Sequence, residues 1–85
     1  MTVHRAVITF TGDDGDEQLA AVTLDVDDLH ADPWHAQIVS NGARTPRGSA
    51  GNVTVTIGAR EAPASIGIVD GRVATIEARG PFVIR

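Results

Sequence analysis

The 85-residue chain contains no cysteine, no lysine and no tyrosine, and only three leucines. Without cysteine there is neither a disulfide framework nor a thiolate metal site, and the reasoning that ties small stapled domains to oxidising compartments does not apply. A cytoplasmic location is the resulting expectation. Aromatic residues make up 4%, namely Phe10, Trp34 and Phe82, too few to wall a deep apolar small-molecule pocket. No apolar run approaches the roughly 20 residues of a membrane span. The opening Met1-Thr2-Val3-His4-Arg5 lacks the basic and apolar regions of a signal peptide, so neither membrane insertion nor export is expected. All seven basic residues are arginine, which with the abundance of Ala, Gly, Val and Asp reads as GC-rich codon usage.

Several chemistries lack their parts. Nucleophilic catalysis finds no cysteine and no Gly-x-Ser-x-Gly elbow, and Ser40, Ser49 and Ser65 have no histidine beside them in sequence. The glycines of Gly48-Ser49-Ala50-Gly51 precede a strand pattern, so they lack the helix N-terminus that makes such turns bind phosphate. Nucleic-acid binding needs a basic groove and stacking aromatics, whereas the net charge is −4. Arg44 and Arg47 alone supply too few phosphate contacts.

What the chain has in quantity is β-branched residues. Ten valines, seven isoleucines and eight threonines favour the pleated, half-buried surface of a sheet. The predicted class is therefore all-β. Alternation and Gly/Pro punctuation place strands at Val3 to Thr11, Gln18 to Val26, Trp34 to Ser40, Asn52 to Ala59, Ala64 to Val69, Arg72 to Ala78 and Phe82 to Arg85. A turn around Asp27 to Asp32 is the sole helical candidate. Asp70-Gly71 matches a two-residue type I′ hairpin, which sets Ile68 opposite Val73 and Ile66 opposite Thr75. Ile76 then falls out of phase with Val73, so the hairpin is either covered on both faces or contains a bulge.

Residues 1–85 form one domain, with a long loop at 41–51 that holds Pro46, Arg44 and Arg47. Six to seven antiparallel strands at this length close into a small barrel or a compact sandwich. A barrel this small is filled by its own side chains, which moves any site to a mouth or an interface.

Charge divides unevenly. Residues 1–42 hold eight carboxylates against Arg5, a balance of −7, and residues 43–85 hold six arginines against three carboxylates, a balance of +3. Opposite halves of this kind pair subunits or steer an anion. A domain this short also gains stability by burying more surface, so a homodimer or larger assembly is expected. The run Asp13-Asp14-Gly15-Asp16-Glu17 offers hard oxygen ligands but departs from the calcium-loop spacing. It reads as an acidic hairpin tip that deters edge pairing.

One polar constellation stands out, Asp27-Asp28-Leu29-His30-Ala31-Asp32-Pro33-Trp34-His35. Two imidazoles and a carboxylate are a metal-ligand set in composition. Pro33 biases Asp32 toward extended backbone, however, and Trp34 and His35 alternate across a strand, so His30, Asp32 and His35 are not expected to converge. No metal and no cofactor are expected. The primary reading is a non-catalytic binding or accessory module whose ligand-binding candidates are Trp34, Arg44 and Arg47, for a small anionic ligand or a partner enzyme. The alternative is a small acid/base enzyme of isomerase or cyclase type, with His35 as general base oriented by Asp32 or Asp28.

The order of Asp32-Pro33-Trp34, Val53-Thr54-Val55, Ala64 to Ile68, Gly71-Arg72 and Gly80-Pro81-Phe82 resembles the small β domain of unknown function found, mainly in actinobacteria, attached to or encoded beside flavin-dependent monooxygenases. The closing segment has one proline where that family tends to have two. The resemblance implies a β fold and an accessory place in oxidative or secondary metabolism, and it carries over no catalytic residue.

Overall fold

The computed structural model of the chain describes residues 3–11, 17–39 and 51–84. Strict two-residue alternation governs its long strands, because successive side chains of a strand point to opposite faces. In β1 (Val3–Thr11) Ala6, Ile8 and Phe10 are buried, and in β2 (Glu17–Val26) Val22, Leu24 and Val26 are. Val53, Val55 and Ile57 do the same in β4 (Asn52–Ile57), and Ala62 and Ala64 in β5 (Arg60–Val69). Shorter strands complete the set: β3 (His35–Ile38), β6 (Arg72–Ala78) and β7 (Val83–Ile84).

The strands lie in the order β4-β1-β2-β3-β6-β5-β7, and β4 also pairs with β5. Six strands thus close into an antiparallel barrel, and β7 is an extra strand on β5. Of the two architectures that the strand count allowed, the chain adopts the barrel. Its interior is apolar: among the described residues no buried side chain is polar or charged, and Trp34, Phe10, Ile8, Leu24, Val26 and Val55 are the largest that are fully enclosed. Each such aliphatic side chain stabilises the fold by about 1.5 to 3 kcal/mol relative to exposure. No helix occurs among the described residues. The helical candidate at 27–32 is instead a turn in which the Ala31 N–H donates to the Asp28 carbonyl at 3.2 Å.

Tight turns follow the residues suited to them. Asp70 and Gly71 have φ of 53° and 73°, the two positive values that a type I′ hairpin requires. Ile68 pairs with Val73 as expected, but Ile66 faces Ile76 and not Thr75, which pairs with Gly67. The register shifts between Gly67 and Ile68, leaving Ala74 as the extra residue. That bulge rotates the following half-strand by one face, so Val73 and Ile76 are both buried despite their odd spacing.

β5 starts four residues earlier than its apolar pattern suggested and runs through Pro63. The Pro63 carbonyl accepts the Arg79 N–H at 3.0 Å, while the missing proline N–H faces the gap where β6 ends and β7 begins. The β5–β6 ladder ends there, at Ala64 and Ala78, and the end of a ladder is a setting in which a strand tolerates proline. Of the expected loop at 41–51, only Gly51 lies among the described residues; Arg44 and Arg47 lie outside them, as do Asp13, Asp14 and Asp16.

Candidate functional site

The segment that the sequence singled out joins β2 to β3 along one end of the barrel. Its shape comes from Asp28, whose Oδ1 accepts the His30 N–H at 2.8 Å, a side-chain turn of the kind aspartate favours. The Asp27 N–H then donates to the His35 carbonyl at 3.1 Å, which fastens the two ends of the segment together. The Asp32–Pro33 peptide is cis. The chain turns inward at Trp34, which is 1% exposed. The indole N–H donates to the Gly80 carbonyl at 2.8 Å, and the ring lies against Phe82 at 4.7 Å between centroids and 44° between planes. Trp34 is therefore a core side chain with its polar atom spent on backbone. That leaves no aromatic surface there for an external ligand.

His35 follows on the opposite face and is exposed, as are Asp32, His30 and Asp28. Its cross-strand partner is Glu77 on β6, not Asp32, and Asp28 is already engaged by the His30 backbone. Glu77 in turn stands opposite Ser65, and Ser65 opposite Asn52, so His35, Glu77, Ser65 and Asn52 form one polar row across four strands. A depression of about 280 Å³ lies beside it, lined by Pro33, Trp34, His35, Ile76, Glu77 and Ala78. Directly opposite side chains in a sheet have Cβ atoms about 5 Å apart, so His35 and Glu77 are within reach of one small molecule. Sequence reasoning missed Glu77 because its neighbourhood depends on the β3–β6 pairing, which spans 40 residues and has no local signal. Among the described residues, no group of three or more His, Asp or Glu side chains is arranged to hold a metal ion.

A second surface lies across the barrel wall. Outward side chains of β2, β1, β4 and β5 align in rows: Leu19, Thr9, Thr54 and Pro63 in one, and Ala21, Val7, Thr56 and Glu61 in the next. Val83 on β7 extends the second row. Seven residues from these strands line a depression of about 430 Å³, with Glu17 and Glu61 as its charged members. Leu19 is 71% exposed, a large apolar side chain on a face otherwise built from Thr, Val, Ala and Pro, with Glu61 at its β5 end. Alternation alone makes Val7 and Thr9 outward, but which strands adjoin them follows only from closure of the barrel.

Comparison with protein-family models, with curated proteins and with solved structures returned no match. The resemblance to the actinobacterial β domain gains no support from them. No helix among the described residues is long and apolar enough to cross a membrane.

Proposed function

We propose that the chain is a non-catalytic binding module that works through the outer wall of its barrel and recognises another protein surface. The observation that carries this reading is the contrast between the two sides of the wall. Among the described residues the interior holds no buried polar or charged side chain, so it offers a ligand no polar partner, whereas on the β2–β1–β4–β5 face seven of the eight side chains in the two rows are uncharged, around an exposed Leu19, with Glu61 at the β5 end. Charge depletion at the centre of a patch is what distinguishes binding surfaces from ordinary protein surface.

A photo-crosslinking residue placed at Thr54, in the cells that make the protein, tests the reading. Adducts of discrete mass are expected there and none from the same residue placed at Ala74, on a different part of the barrel. Equal labelling from both positions, or none from either, would contradict it. The His35–Glu77 pair beside its own depression favours a second reading, acid/base chemistry with Glu77 in the orienting role first given to Asp32. In that case turnover of a small substrate is lost in both His35→Ala and Glu77→Gln and is indifferent to changes at Thr54.

A further inference from the structure

We infer that the partner of the β2–β1–β4–β5 face is a second copy of this chain, docked face to face about a two-fold axis that lies in the interface perpendicular to the strands. This rests on the reading of that face as the binding surface and names its occupant.

The charges around the face select both the occupant and the axis. Four charged groups stand at the margins of the face: Glu17 and Arg5 on the β2–β1 side, Glu61 and Arg79 on the β5 side. Their places follow from the ladder. Glu17 lies on β2 one row above Leu19, and Arg5 lies on β1 one row below Val7, opposite Thr23. Glu61 lies on β5 in the row of Val7, and Arg79 adjoins Pro63 in the row of Leu19, held by its backbone bond to the Pro63 carbonyl. Among the described residues none of these four side chains enters an ion pair within the chain.

A two-fold rotation about an axis across the strands keeps each strand over its own copy and reverses its direction, so that the row of Leu19 covers the row of Ala21. Glu17 of one copy then sits over Thr23 of the other, one strand away from that copy's Arg5. Glu61 sits over Pro63 of the other copy, one strand away from that copy's Arg79. Both acids meet arginines, and symmetry produces each contact twice. Rotation about the strand direction instead sets Glu17 over Ser65 and Arg5 over Gly58, and neither charge is answered. The first arrangement also places Leu19, the most projecting apolar side chain of the face, over Ala21, the smallest. Isologous contacts need this kind of self-complementarity.

Area sets the strength. Four strands at a spacing of about 4.8 Å, and four rows about 7 Å apart from that of Glu17 to that of Thr23, give a face of about 20 by 20 Å. That is roughly 400 Å² in projection, against the roughly 800 Å² per partner of a stable complex. The dimer is therefore reversible, with a Kd on the order of 10⁻⁵ M, at the weak end of specific association.

Sedimentation equilibrium of the full chain over a wide concentration range tests this, alongside circular dichroism to show that each variant is folded. The mass is expected to rise from 8.9 kDa to twice that value. Leu19→Arg and Thr54→Arg, both at outward positions, are expected to hold the chain at the single mass. Arg5→Glu and Glu17→Arg should each weaken association about tenfold at low salt, and the double swap Arg5→Glu/Glu17→Arg should recover it to within about threefold, since it restores the pair with its sign reversed. In about 1 M salt the single reversals should lose most of their effect. A dimer indifferent to Leu19→Arg, or a double swap no better than either single change, would overturn the proposal. So would a chain of single mass at millimolar concentration. Where that occurs and the Thr54 crosslinker captures a different protein, the binding-module reading stands and only the identity of its occupant is wrong; where it captures nothing, both fall.

Discussion

Trp34→Phe separates a core tryptophan from a ligand-binding one, because the two roles carry different costs. The substitution removes the indole N–H and so leaves the Gly80 carbonyl, now bonded at 2.8 Å in a partly buried position, with whatever water can reach it. That loss is worth about 1 to 2 kcal/mol. It also shrinks a side chain that is 1% exposed and packed on Phe82, for a further cost of about 1 to 2 kcal/mol from the unfilled volume. The sum, about 2 to 4 kcal/mol, is large beside the roughly 4 to 13 kcal/mol that a domain of this length possesses. Urea unfolding provides the assay. With a slope of about 1 kcal/mol per molar for a chain this small, the midpoint should fall by about 2 to 4 M. The transition is followed by circular dichroism, since the chain has one tryptophan and the variant has none. A midpoint within about 0.5 M of the parent would refute the reasoning, because substitutions at solvent-facing positions stay within about 0.5 kcal/mol.

Gly71, at φ 73° with open space around it, should lose about 1 to 2 kcal/mol as Gly71→Ala from backbone strain alone, measurable in the same unfolding experiment. At Gly67 a Cβ would meet the Thr75 hydroxyl across the β5–β6 ladder; Gly67→Ala is expected to destabilise by about 1 kcal/mol in the parent and by clearly less in a Thr75→Ala background, a coupling that a double-mutant cycle reads directly. Leu24→Ala, at a fully buried position, should cost about 2 to 5 kcal/mol. His35→Ala, at an exposed one, should change stability by less than about 0.5 kcal/mol, and an unfolding midpoint that moved by several molar would show that His35 holds structure that its exposure denies.

Local signals carried the fold far. Period-two alternation, which a half-buried strand must show, located β1 to the residue; flanking turn residues bounded β6, and the other strands were placed to within a few positions. Asp70-Gly71 announced its turn because few residues tolerate positive φ. Pairing between distant strands was not legible, since β1–β4 and β3–β6 are chosen by closure of the whole barrel and leave no mark in any short window. The bulge at Gly67/Ile68 showed itself only as a conflict of phase between Val73 and Ile76, and the expected Ile66–Thr75 contact failed for want of its one extra residue. The same blindness affected the site. His35 was visible as a titratable residue on a strand, but its neighbour Glu77 lies across a long-range seam, and Asp28, nearby in sequence, is engaged by the His30 N–H in the turn before it. Trp34 was a ligand-binding candidate in the sequence, and the structure buries it. In a barrel with three aromatics that scarcity is a reason to bury one.

Closure of the barrel is what assigns binding to the outer wall, since it seals the apolar interior. Nuclear Overhauser contacts across the β3–β6 seam test that claim most directly. Backbone proximities between Ala36 and Ile76, and between His35 and Glu77, are expected at the same strength as those between Ile8 and Val55 on the far side of the ring. If the β1–β4 contacts were present and the β3–β6 contacts absent, the sheet would be open along that edge. The residues around Trp34 and Ile76 would then face solvent, and the interior, not the outer wall, would be the place for a ligand.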